Sequence, residues 1–428
     1  MTRTLIHNGA ICTPQGWISH GYVLIDGQQI SLVSAGSPPA DLAWDKKIDA
    51  SGQAILPGLE NAHTHLSQTF MRGLAGGRPL IRWLKERIWP IQALMTPELL
   101  HLAALLGLVE NLRCGNTHVV NHHKVAATPQ HNQAVLDACL QVGLKVSLAR
   151  AWVDKGANAE APQSILDDLQ WLYDHWHGAN DGRIQVASGP LATWRCSVDT
   201  LLKTRQLSRQ YHSFTHIHVA ETRDEVQMSL DEYGVPPVTW LDEIGVLGED
   251  THVVHAVWVN KSEIKLLAHS RARVVHCPVS NAVLGSGTAP LTDLIQAGAN
   301  LRLGTDGSAS NDSQDLWETI KTALMLSRVR TLDPTQPTPR AALELALSTP
   351  GIRVGEPADL ILVRVDHVRA APVYDLDSAL SLCTHGSDVE TVIVGGQVLM
   401  QDHKVLVVDE ASLVKECQQA IQTLQKAL

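Results

Sequence analysis

The stretch AILPGLENAHTHLSQ, residues 54–68, joins an apolar run to two histidines that are two residues apart. An apolar run that ends in polar residues is typical of a buried strand reaching the edge of a sheet. Side chains two apart on a strand share one face, so His63 and His65 point the same way, and Asn61 with them. By the same alternation Glu60 points outward, toward covering helices. The stretch predicts a strand that delivers two imidazoles to one place.

Strand-like runs continue through the centre of the chain, and helical segments such as 96–115 and 163–176 separate most of them. The predicted strands are 54–63, 117–121, 145–150, 183–189, 214–219, 251–257, 272–278 and 300–306. Eight strand–helix units in about 300 residues are the pattern of a (β/α)₈ TIM barrel, an α/β fold with its active site at the carboxyl ends of the strands. A doubly wound open sheet is the alternative, but no GxGxxG motif follows a strand.

Both ends of the chain carry shorter strand patterns with glycine turns. Residues 1–57 contain hairpin-like runs, and similar runs return at 358–366 and 389–402. We therefore predict a small β-sandwich built from residues 1–57 and 351–428, the second part ending in a helix. These two parts flank a barrel of residues 58–350.

Composition excludes several classes of function. A formal net charge of −10 and the absence of a lysine- or arginine-rich run argue against a nucleic-acid partner. No apolar run of about 18 residues and no secretory signal pattern are present, so we expect a cytoplasmic protein without a membrane partner. The seven cysteines include no CxxC pair, which favours reduced thiols over a disulfide frame or a cysteine zinc site.

Polar residues close several of the predicted strands. His63 and His65 end the first strand, His218 ends the fifth, and Asp306 ends the eighth. Because the carboxyl ends of barrel strands converge at one mouth, these side chains should meet. Three imidazoles and one carboxylate, with a position left open for water, suit a divalent ion such as zinc. We predict a metal centre with these four residues as ligands.

Two further residues near the same mouth suggest the chemistry. Glu221, three residues after His218, is predicted to carry protons, although a solvated loop carboxylate is the alternative. His255 is predicted to polarise the attacked centre, although a buried core histidine is the alternative. A divalent ion lowers the pKa of bound water and supplies hydroxide near pH 7, while Asp306 accepts or orients the water proton. The expected reaction is hydrolysis without a covalent intermediate.

Five ordered motifs resemble one known family. PGLENAHTHL, HIHVAET, VVHAVW, VVHCPVSNAVLGSG and GTDGSASNDS look like the amidohydrolase superfamily, in its branch of mononuclear metal-dependent aminohydrolases and triazine hydrolases. The resemblance runs from about residue 20 to residue 400. It implies a (β/α)₈ barrel with a β-sandwich, and one zinc ion, or iron in some members, on the four ligands named above. It also places Glu221 and His255 among the proton-transfer residues.

The same resemblance guides the choice of substrate contacts. Gln68 looks like its counterpart in 8-oxoguanine deaminases and triazine hydrolases, and its amide can both donate to and accept from a ring. The alternative is a polar residue at the start of a helix. His122 and His123 resemble a histidine pair of 8-oxoguanine deaminases. Arg82 stands where adenosine-type enzymes have a ribose-binding glutamate, which disfavours a nucleoside. Trp83 is predicted to stack on a flat ring, with apolar packing of its loop as the alternative.

We therefore predict a metal-dependent hydrolytic deaminase of a small amino-substituted N-heterocycle, of the guanine, 8-oxoguanine or pterin type, that releases ammonia. The alternatives are an s-triazine hydrolase, a deaminase of S-adenosylhomocysteine or methylthioadenosine, and a catalytically silent structural homologue. The sequence does not decide the oligomeric state, and a homodimer is the assembly considered. Two departures from the family are noted: the carboxylate of Glu60, and a segment, 345–360, that is shorter than usual between barrel and sandwich.

Overall fold

The computed structural model describes residues 2–427. Its strands are β1 (Arg3–Thr13), β2 (Gly16–Asp26), β3 (Gln29–Ala35), β4 (Lys46–Asp49), β5 (Gln53–Pro57), β6 (Leu59–Thr64), β7 (Asn116–His123), β8 (Lys145–Trp152), β9 (Ile184–Pro190), β10 (Thr215–Val219), β11 (Thr251–His255), β12 (Arg273–His276), β13 (Asn300–Leu303), β14 (Leu360–Arg364), β15 (Val389–Val394), β16 (Gln397–Gln401) and β17 (Lys404–Val405).

The α-helices are α1 (Leu80–Trp83), α2 (Trp89–Gln92), α3 (Pro97–Arg113), α4 (Pro129–Val142), α5 (Pro162–Trp176), α6 (Val198–Gln210), α7 (Arg223–Tyr233), α8 (Pro237–Glu243), α9 (Lys261–Ser270), α10 (Pro278–Val283), α11 (Leu291–Gln296), α12 (Leu316–Thr331), α13 (Pro339–Glu344), α14 (Leu376–Cys383) and α15 (Glu410–Ala427). A π-helix, Leu84–Ile88, joins α1 to α2, and a 3₁₀ helix, Leu66–Met71, follows β6. Within residues 2–427 no single helix has both the length and the hydropathy to cross a bilayer. Leu80–Gln92 and Pro97–Arg113 pass that test only together, as a pair bent by 117°.

Strands β6 to β13 form an eight-stranded parallel sheet in chain order. The sheet curls until its edge strands β6 and β13 lie side by side, where the Asp306 N–H donates to the His63 carbonyl at 2.9 Å. Helices lie between successive strands and cover the outside. This architecture confirms the predicted (β/α)₈ barrel, and it joins two predicted ligands across the seam where the barrel closes.

A second sheet of nine strands combines both ends of the chain. Its order is β17-β16-β15-β14-β5-β1-β2-β3, with β4 beside β1, so β14 pairs with β5 and ties the two ends together. Aliphatic side chains of these strands, including Ile6, Ile55 and Leu362, are fully buried in a core separate from that of the barrel. The predicted domain built from both termini is confirmed, while its exact boundaries stay a prediction.

The first predicted barrel strand, 54–63, is in fact two strands. The chain divides at Gly58, with β5 in the second sheet and β6 in the barrel. A Cβ atom at Gly58 would lie 2.0 Å from the Thr117 hydroxyl oxygen, so only glycine lets the two segments approach this closely. An apolar pattern does not reveal a change of sheet, because both strands are buried.

A β-bulge in β6 reverses the side-chain alternation expected there. From Asn61 to Thr64 the strand advances three residues while its neighbour β7 advances two. Asn61 therefore faces outward, where its amide donates to Asn111 of α3 at 3.0 Å. His63 still faces inward because it lies beyond the bulge. The predictions that Asn61 points inward and Glu60 outward were both wrong.

Glu60 lies inside the barrel, at the end away from the predicted site. It accepts from Arg273 at 2.7 Å and Arg302 at 3.3 Å, and His118 Nδ1 lies 3.4 Å away. Burial alone would raise the pKa of Glu60, but His118 and the two guanidinium charges outweigh it and hold the pKa well below its usual value. These three side chains are the partners of the buried Glu60 carboxylate, and the sequence alone did not identify them.

The short segment 345–360 crosses from the barrel to the second sheet without a helix. The Ala346 carbonyl accepts from the Glu60 N–H at 2.8 Å, and the Ser348 N–H donates to the Gly58 carbonyl at 2.9 Å. Between these two bonds Leu347 forms an isolated antiparallel bridge with Leu59 at the start of β6. The junction is therefore held against the first barrel strand although it contains no helix or strand of its own.

Candidate active site

The four predicted ligands meet at the carboxyl end of the barrel. Ring nitrogens of His63, His65 and His218 lie within 4.8 Å of one another. Asp306 Oδ1 is 3.4 Å from His63 Nε2 and 3.3 Å from His65 Nε2. A β-bulge in β6 and the barrel seam bring these atoms together from strands far apart in sequence. The cluster has the donor set and size of a site for one divalent ion.

The surroundings of each histidine leave its Nε2 atom free. His65 Nδ1 lies 2.8 Å and His218 Nδ1 lies 2.6 Å from a backbone carbonyl oxygen. A carbonyl only accepts, so both Nδ1 atoms carry hydrogen and both Nε2 atoms keep their lone pairs. His63 Nδ1 lies 2.7 Å from His216 Nε2, and its own buried Nε2 has no hydrogen-bond partner among residues 2–427.

Asp306 is held in an unusual backbone conformation. Its φ of +64° is uncommon for a residue with a side chain. Ser280 Oγ donates to Oδ2 and the Gly307 N–H donates to Oδ1, both at 2.7 Å. Its own carbonyl accepts from Thr64 Oγ1 at 2.9 Å and lies 3.4 Å from the Gln314 amide nitrogen. These bonds stabilise the conformation that turns the carboxylate toward the histidines.

Glu221 and His255 face the same space. Glu221 Oε2 lies 3.5 Å from His255 Nε2, and Ser286 Oγ donates to Glu221 Oε1 at 3.0 Å. Asn281 Nδ2 lies 3.0 Å from His255 Nδ1, so an amide hydrogen donated there leaves the N–H of His255 on Nε2. Neither residue is on the surface: Glu221 is 4% exposed and His255 is 1% exposed. The alternative of a solvated loop carboxylate does not fit Glu221, and His255 is a buried histidine whose ring also lines the cavity.

Burial changes the protonation of the groups around Glu221. It raises the pKa of Glu221 to about 8, with the charge of Asp306 adding to the effect. It also raises the pKa of Glu225 to about 7, helped by the charge of Glu221, whose N–H donates to Glu225 Oε2 at 2.8 Å. Burial lowers the pKa of His255. Near neutral pH, Glu221 can therefore hold a proton while His255 is uncharged.

A cavity opens above the cluster and is walled by apolar side chains. Its lining includes His65, His218, Glu221, His255 and Asp306 below, with Leu80, Trp83, Leu84, Ile88 and Trp194 around them. Gln68 also lines it, and Gly307 leaves room for Gln68, whose Oε1 would lie 1.9 Å from a Cβ atom there. Gln68 Oε1 and Trp83 Nε1 are buried without a hydrogen-bond partner in residues 2–427. Such atoms in a cavity indicate where a ligand would bind.

The two predicted substrate histidines lie elsewhere. His122 is fully buried beneath the cluster, with its ring 4.8 Å from that of His218 and its carbonyl bonded to His65. His123 points to the other side of β7, where it lies near Asn132 of α4. Neighbouring residues on a strand face opposite sides, so the pair cannot share one cavity. The structure brings neither ring to the cavity lining.

Arg82 also lies away from the cavity. Its guanidinium donates to Glu86 at 2.7 Å, and its side chain is 68% exposed. The next residue, Trp83, is 3% exposed and lines the cavity. The positive charge therefore does not face a bound ligand, and the sequence argument that Arg82 disfavours a nucleoside does not hold.

Several residues of the site were missed. His216 supports His63, and Ser280, Asn281, Ser286 and Glu225 bond to Asp306, His255 or Glu221. Two signals were available: His216 shares a face with His218 in HIH, and Ser280 and Asn281 follow the end of β12. The bonds of Glu225 and Ser286 depend on loop paths that no local pattern gives.

Comparison with known proteins identifies the family. The chain matches the family model described as Amidohydrolase family over residues 54–399. The chain belongs to the amidohydrolase family. This amidohydrolase is 34% identical over 436 residues to a 5'-deoxyadenosine deaminase from Methanosarcina mazei, covering 99% of each chain. It is also 34% identical to a 5-methylthioadenosine/S-adenosylhomocysteine deaminase from Pelotomaculum thermopropionicum, covering 98% of each chain.

Solved structures agree with this assignment. An adenosine deaminase from Xanthomonas campestris, with bound zinc, has a TM-score of 0.92 and 28% identity, with 99% of each chain covered. A zinc-complexed atrazine chlorohydrolase from Arthrobacter aurescens has a TM-score of 0.88 and 24% identity, with 98% of this chain and 100% of that one covered. The second likeness concerns the fold alone. This amidohydrolase is an enzyme that hydrolyses carbon–nitrogen bonds other than peptide bonds.

Proposed function

We propose that this amidohydrolase is a zinc-dependent deaminase that replaces the exocyclic amine of an adenosine-type nucleoside with oxygen. The observation that carries the proposal is the position of Glu221 and His255. They lie 3.5 Å apart beside the ligand cluster and line the same apolar cavity. The deaminases to which nearly the whole chain is similar support adenine as the ring.

The ligand cluster fits a divalent ion. Three imidazole nitrogens with free lone pairs and one carboxylate are a donor set that zinc accepts, and iron suits it too. The buried Nε2 atom of His63 has no partner in residues 2–427, and an ion would satisfy it. A divalent ion bound there lowers the pKa of a coordinated water to near neutrality. We infer one ion, because His63, His65 and His218 form one group of ligand atoms and Asp306 Oδ1 lies within 3.4 Å of His63 and His65.

The residues around the cluster divide the proton transfers of the reaction. Asp306, held by Ser280, accepts a proton from the attacking water. Glu221 gives its proton to the ring nitrogen beside the attacked carbon, then takes the hydrogen of the added hydroxyl group and passes it to the amine, which leaves as ammonia. The proton held by Asp306 then returns to Glu221. The Nε2 hydrogen of His255 steadies the attacking oxygen. The sum is nucleoside plus water giving the oxo product plus ammonia.

The cavity suits a flat ring with polar edges. Trp83 and the leucines around it offer apolar faces. The amide of Gln68 can donate to or accept from a ring edge, and its Oε1 has no partner in the described chain. We infer that Gln68 and Trp83 contact the substrate, whereas His122 supports the ligands and His123 takes no part.

The sequence-based preference for guanine, 8-oxoguanine or a pterin is not supported. It depended on His122 and His123, which do not reach the cavity, and on Arg82, which faces solvent. The alternative of an S-adenosylhomocysteine or methylthioadenosine deaminase agrees with the related enzymes. The cytoplasmic location and the homodimer stay predictions.

Ammonia release by the zinc-loaded protein tests the proposal. The panel contains 5'-deoxyadenosine, methylthioadenosine, S-adenosylhomocysteine, guanine and 8-oxoguanine. We expect turnover of the nucleosides and none of the free bases, and the reverse result would contradict the proposal. Glu221→Gln should keep its zinc but lose turnover by a factor of about 10² or more. Asp224→Ala, an exposed neighbour, is the matched control and should turn over normally.

A further inference from the structure

The metal cavity borders a second, larger cleft. The cleft lies beside α4 and α5, and four residues line both spaces: Trp89, Gln92, Lys124 and Leu191. A substituent that leaves a ring held in the inner cavity toward the cleft would meet these four side chains first. The boundary between the two spaces is the place where a substituent on the ring would be recognised.

Lys124 is the charged residue at this boundary. It directly follows β7, at the carboxyl end of the barrel. Of the described residues that line the metal cavity, it is the only lysine or arginine. No ion pair or hydrogen bond joins its ammonium to any residue in the described part of the chain, 2–427.

The other cations of the cleft already have partners. Arg150 donates to Asp168 at 2.7 Å and to Glu160 at 2.6 Å, so two carboxylates balance one guanidinium. Arg195 donates to two backbone carbonyls of the loop after β8. Lys124 is therefore the cation of this region that remains available to a ligand.

The environment of Lys124 makes an unpaired charge costly. Burial lowers the pKa of its ammonium to about 8, and the carboxylate of Glu160 counteracts only part of this. The side chain is thus charged at pH 7 although it has no partner. A charged group in that position is strongly stabilised by an anion that hydrogen-bonds to it.

We propose that Lys124 binds an anionic group, a carboxylate or a phosphate, carried by the substrate on a tail that leaves the inner cavity. The boundary position assigns the anion to the tail, because the ring meets Gln68 and Trp83 deeper inside. The enzyme then selects nucleosides with an acidic 5' substituent. This inference rests on the proposed function and names the substrate class within it.

Steady-state kinetics of the zinc-loaded enzyme test the inference. S-Adenosylhomocysteine and its decarboxylated analogue, which keeps the amine, differ only in the carboxylate. Adenosine 5'-monophosphate supplies a phosphate, and methylthioadenosine has an uncharged tail. The proteins are the wild type, Lys124→Met, Lys124→Arg and a control, Lys203→Met, which makes the same change at an exposed site on α6.

In Lys124→Met we expect KM to rise by a factor on the order of 10 to 100 for the preferred acidic substrate, with kcat little changed. The KM values for methylthioadenosine and the decarboxylated analogue should stay near those of the wild type, which also shows that the variant is folded. Lys124→Arg should restore most of the affinity, and Lys203→Met should behave as the wild type. Lys124→Met should raise KM more for one of the two acidic substrates. A larger rise for S-adenosylhomocysteine indicates that Lys124 binds a carboxylate, and a larger rise for the monophosphate indicates a phosphate.

Two results overturn the inference, and they are distinct. If the enzyme deaminates these nucleosides but Lys124→Met changes all KM values equally or not at all, the role of Lys124 is wrong and the proposed function stands. If no nucleoside yields ammonia, the proposed function fails and this inference fails with it.

Discussion

The interior of the barrel holds buried polar side chains at both ends. Those at the amino end are hydrogen-bonded to one another, whereas some at the carboxyl end lack a partner in the described chain. At the amino end, Glu60 is matched by Arg273, Arg302 and His118, and all of its oxygen atoms are engaged. At the carboxyl end, His63 Nε2 and Gln68 Oε1 are just as deeply buried and have no partner in residues 2–427. Buried polar groups that satisfy one another need no ligand, whereas buried polar atoms without a partner indicate one. Burial alone does not distinguish the two.

Removing a ligand at the carboxyl end should have the largest effect. In Asp306→Ala the cluster loses its carboxylate and the group that receives the water proton. We expect turnover to fall by a factor of at least about 10³, together with zinc content. Ammonia release and metal analysis of the same preparation measure both. A variant that keeps full zinc and full activity would remove Asp306 from the site.

Breaking the amino-end cluster should affect stability instead of chemistry. Glu60→Gln leaves two guanidinium groups without their carboxylate, and we expect a loss of about 3 kcal/mol in the free energy of unfolding. Zinc content and KM should be unchanged, because the cluster lies at the other end of the barrel. Thermal or urea unfolding measures the change. An equal loss of zinc would show that the two ends are not independent.

The difference in the free energy of unfolding between the wild type and Glu60→Gln should depend on pH. The pKa of Glu60 is below its ordinary value of 4.5 in the folded protein, so its contribution is complete above that pH and is lost as the pH falls. The stability difference between wild type and Glu60→Gln should therefore be constant near neutrality and shrink once the pH falls below about 4.5. A difference that grows on acidification would contradict the ion pairs described here.

A smaller effect is expected from the residue that supports a ligand. His216 lies 2.7 Å from His63 Nδ1 and accepts its hydrogen when Nε2 is the metal-binding atom. In His216→Ala we expect zinc affinity to fall by about 10- to 100-fold, measured by competition with a chelator. His216→Gln, whose amide oxygen can accept the same hydrogen, should recover part of the loss. Unaltered affinity in the alanine variant would make His216 a packing residue only.

The smallest effect is expected at Arg82. Its side chain is largely exposed and pairs with Glu86, away from the cavity. Arg82→Ala should leave KM and kcat for a nucleoside unchanged in the ammonia assay. A clear change in KM would restore the sequence-based view that this position faces the substrate.

The sequence predicted the fold and the ligand cluster because both follow simple periodicities. Eight buried runs separated by helices give a barrel, and parallel strands bring residues at their carboxyl ends to one mouth. His63, His218 and Asp306 could therefore be grouped although they are far apart along the chain.

What the sequence did not predict depends on single residues out of step with those periodicities. One extra residue between Asn61 and Thr64 reverses the alternation, so Glu60 and Asn61 were assigned to the wrong faces. Gly58 ends one strand and begins another with no change in apolarity. Arg82 and Trp83 are neighbours on a short helix, and its packing alone decides which of them reaches the cavity.

The seam of the barrel has a consequence for the stability of the metal-free protein. The Asp306 N–H donates to the His63 carbonyl where β6 meets β13, and both side chains reach the same ligand cluster. An ion held by both residues ties the first barrel strand to the last, so its binding free energy adds to the stability of the folded state. We therefore expect proteases to cleave the metal-free protein more readily than the metal-loaded protein, with the first cuts near this seam.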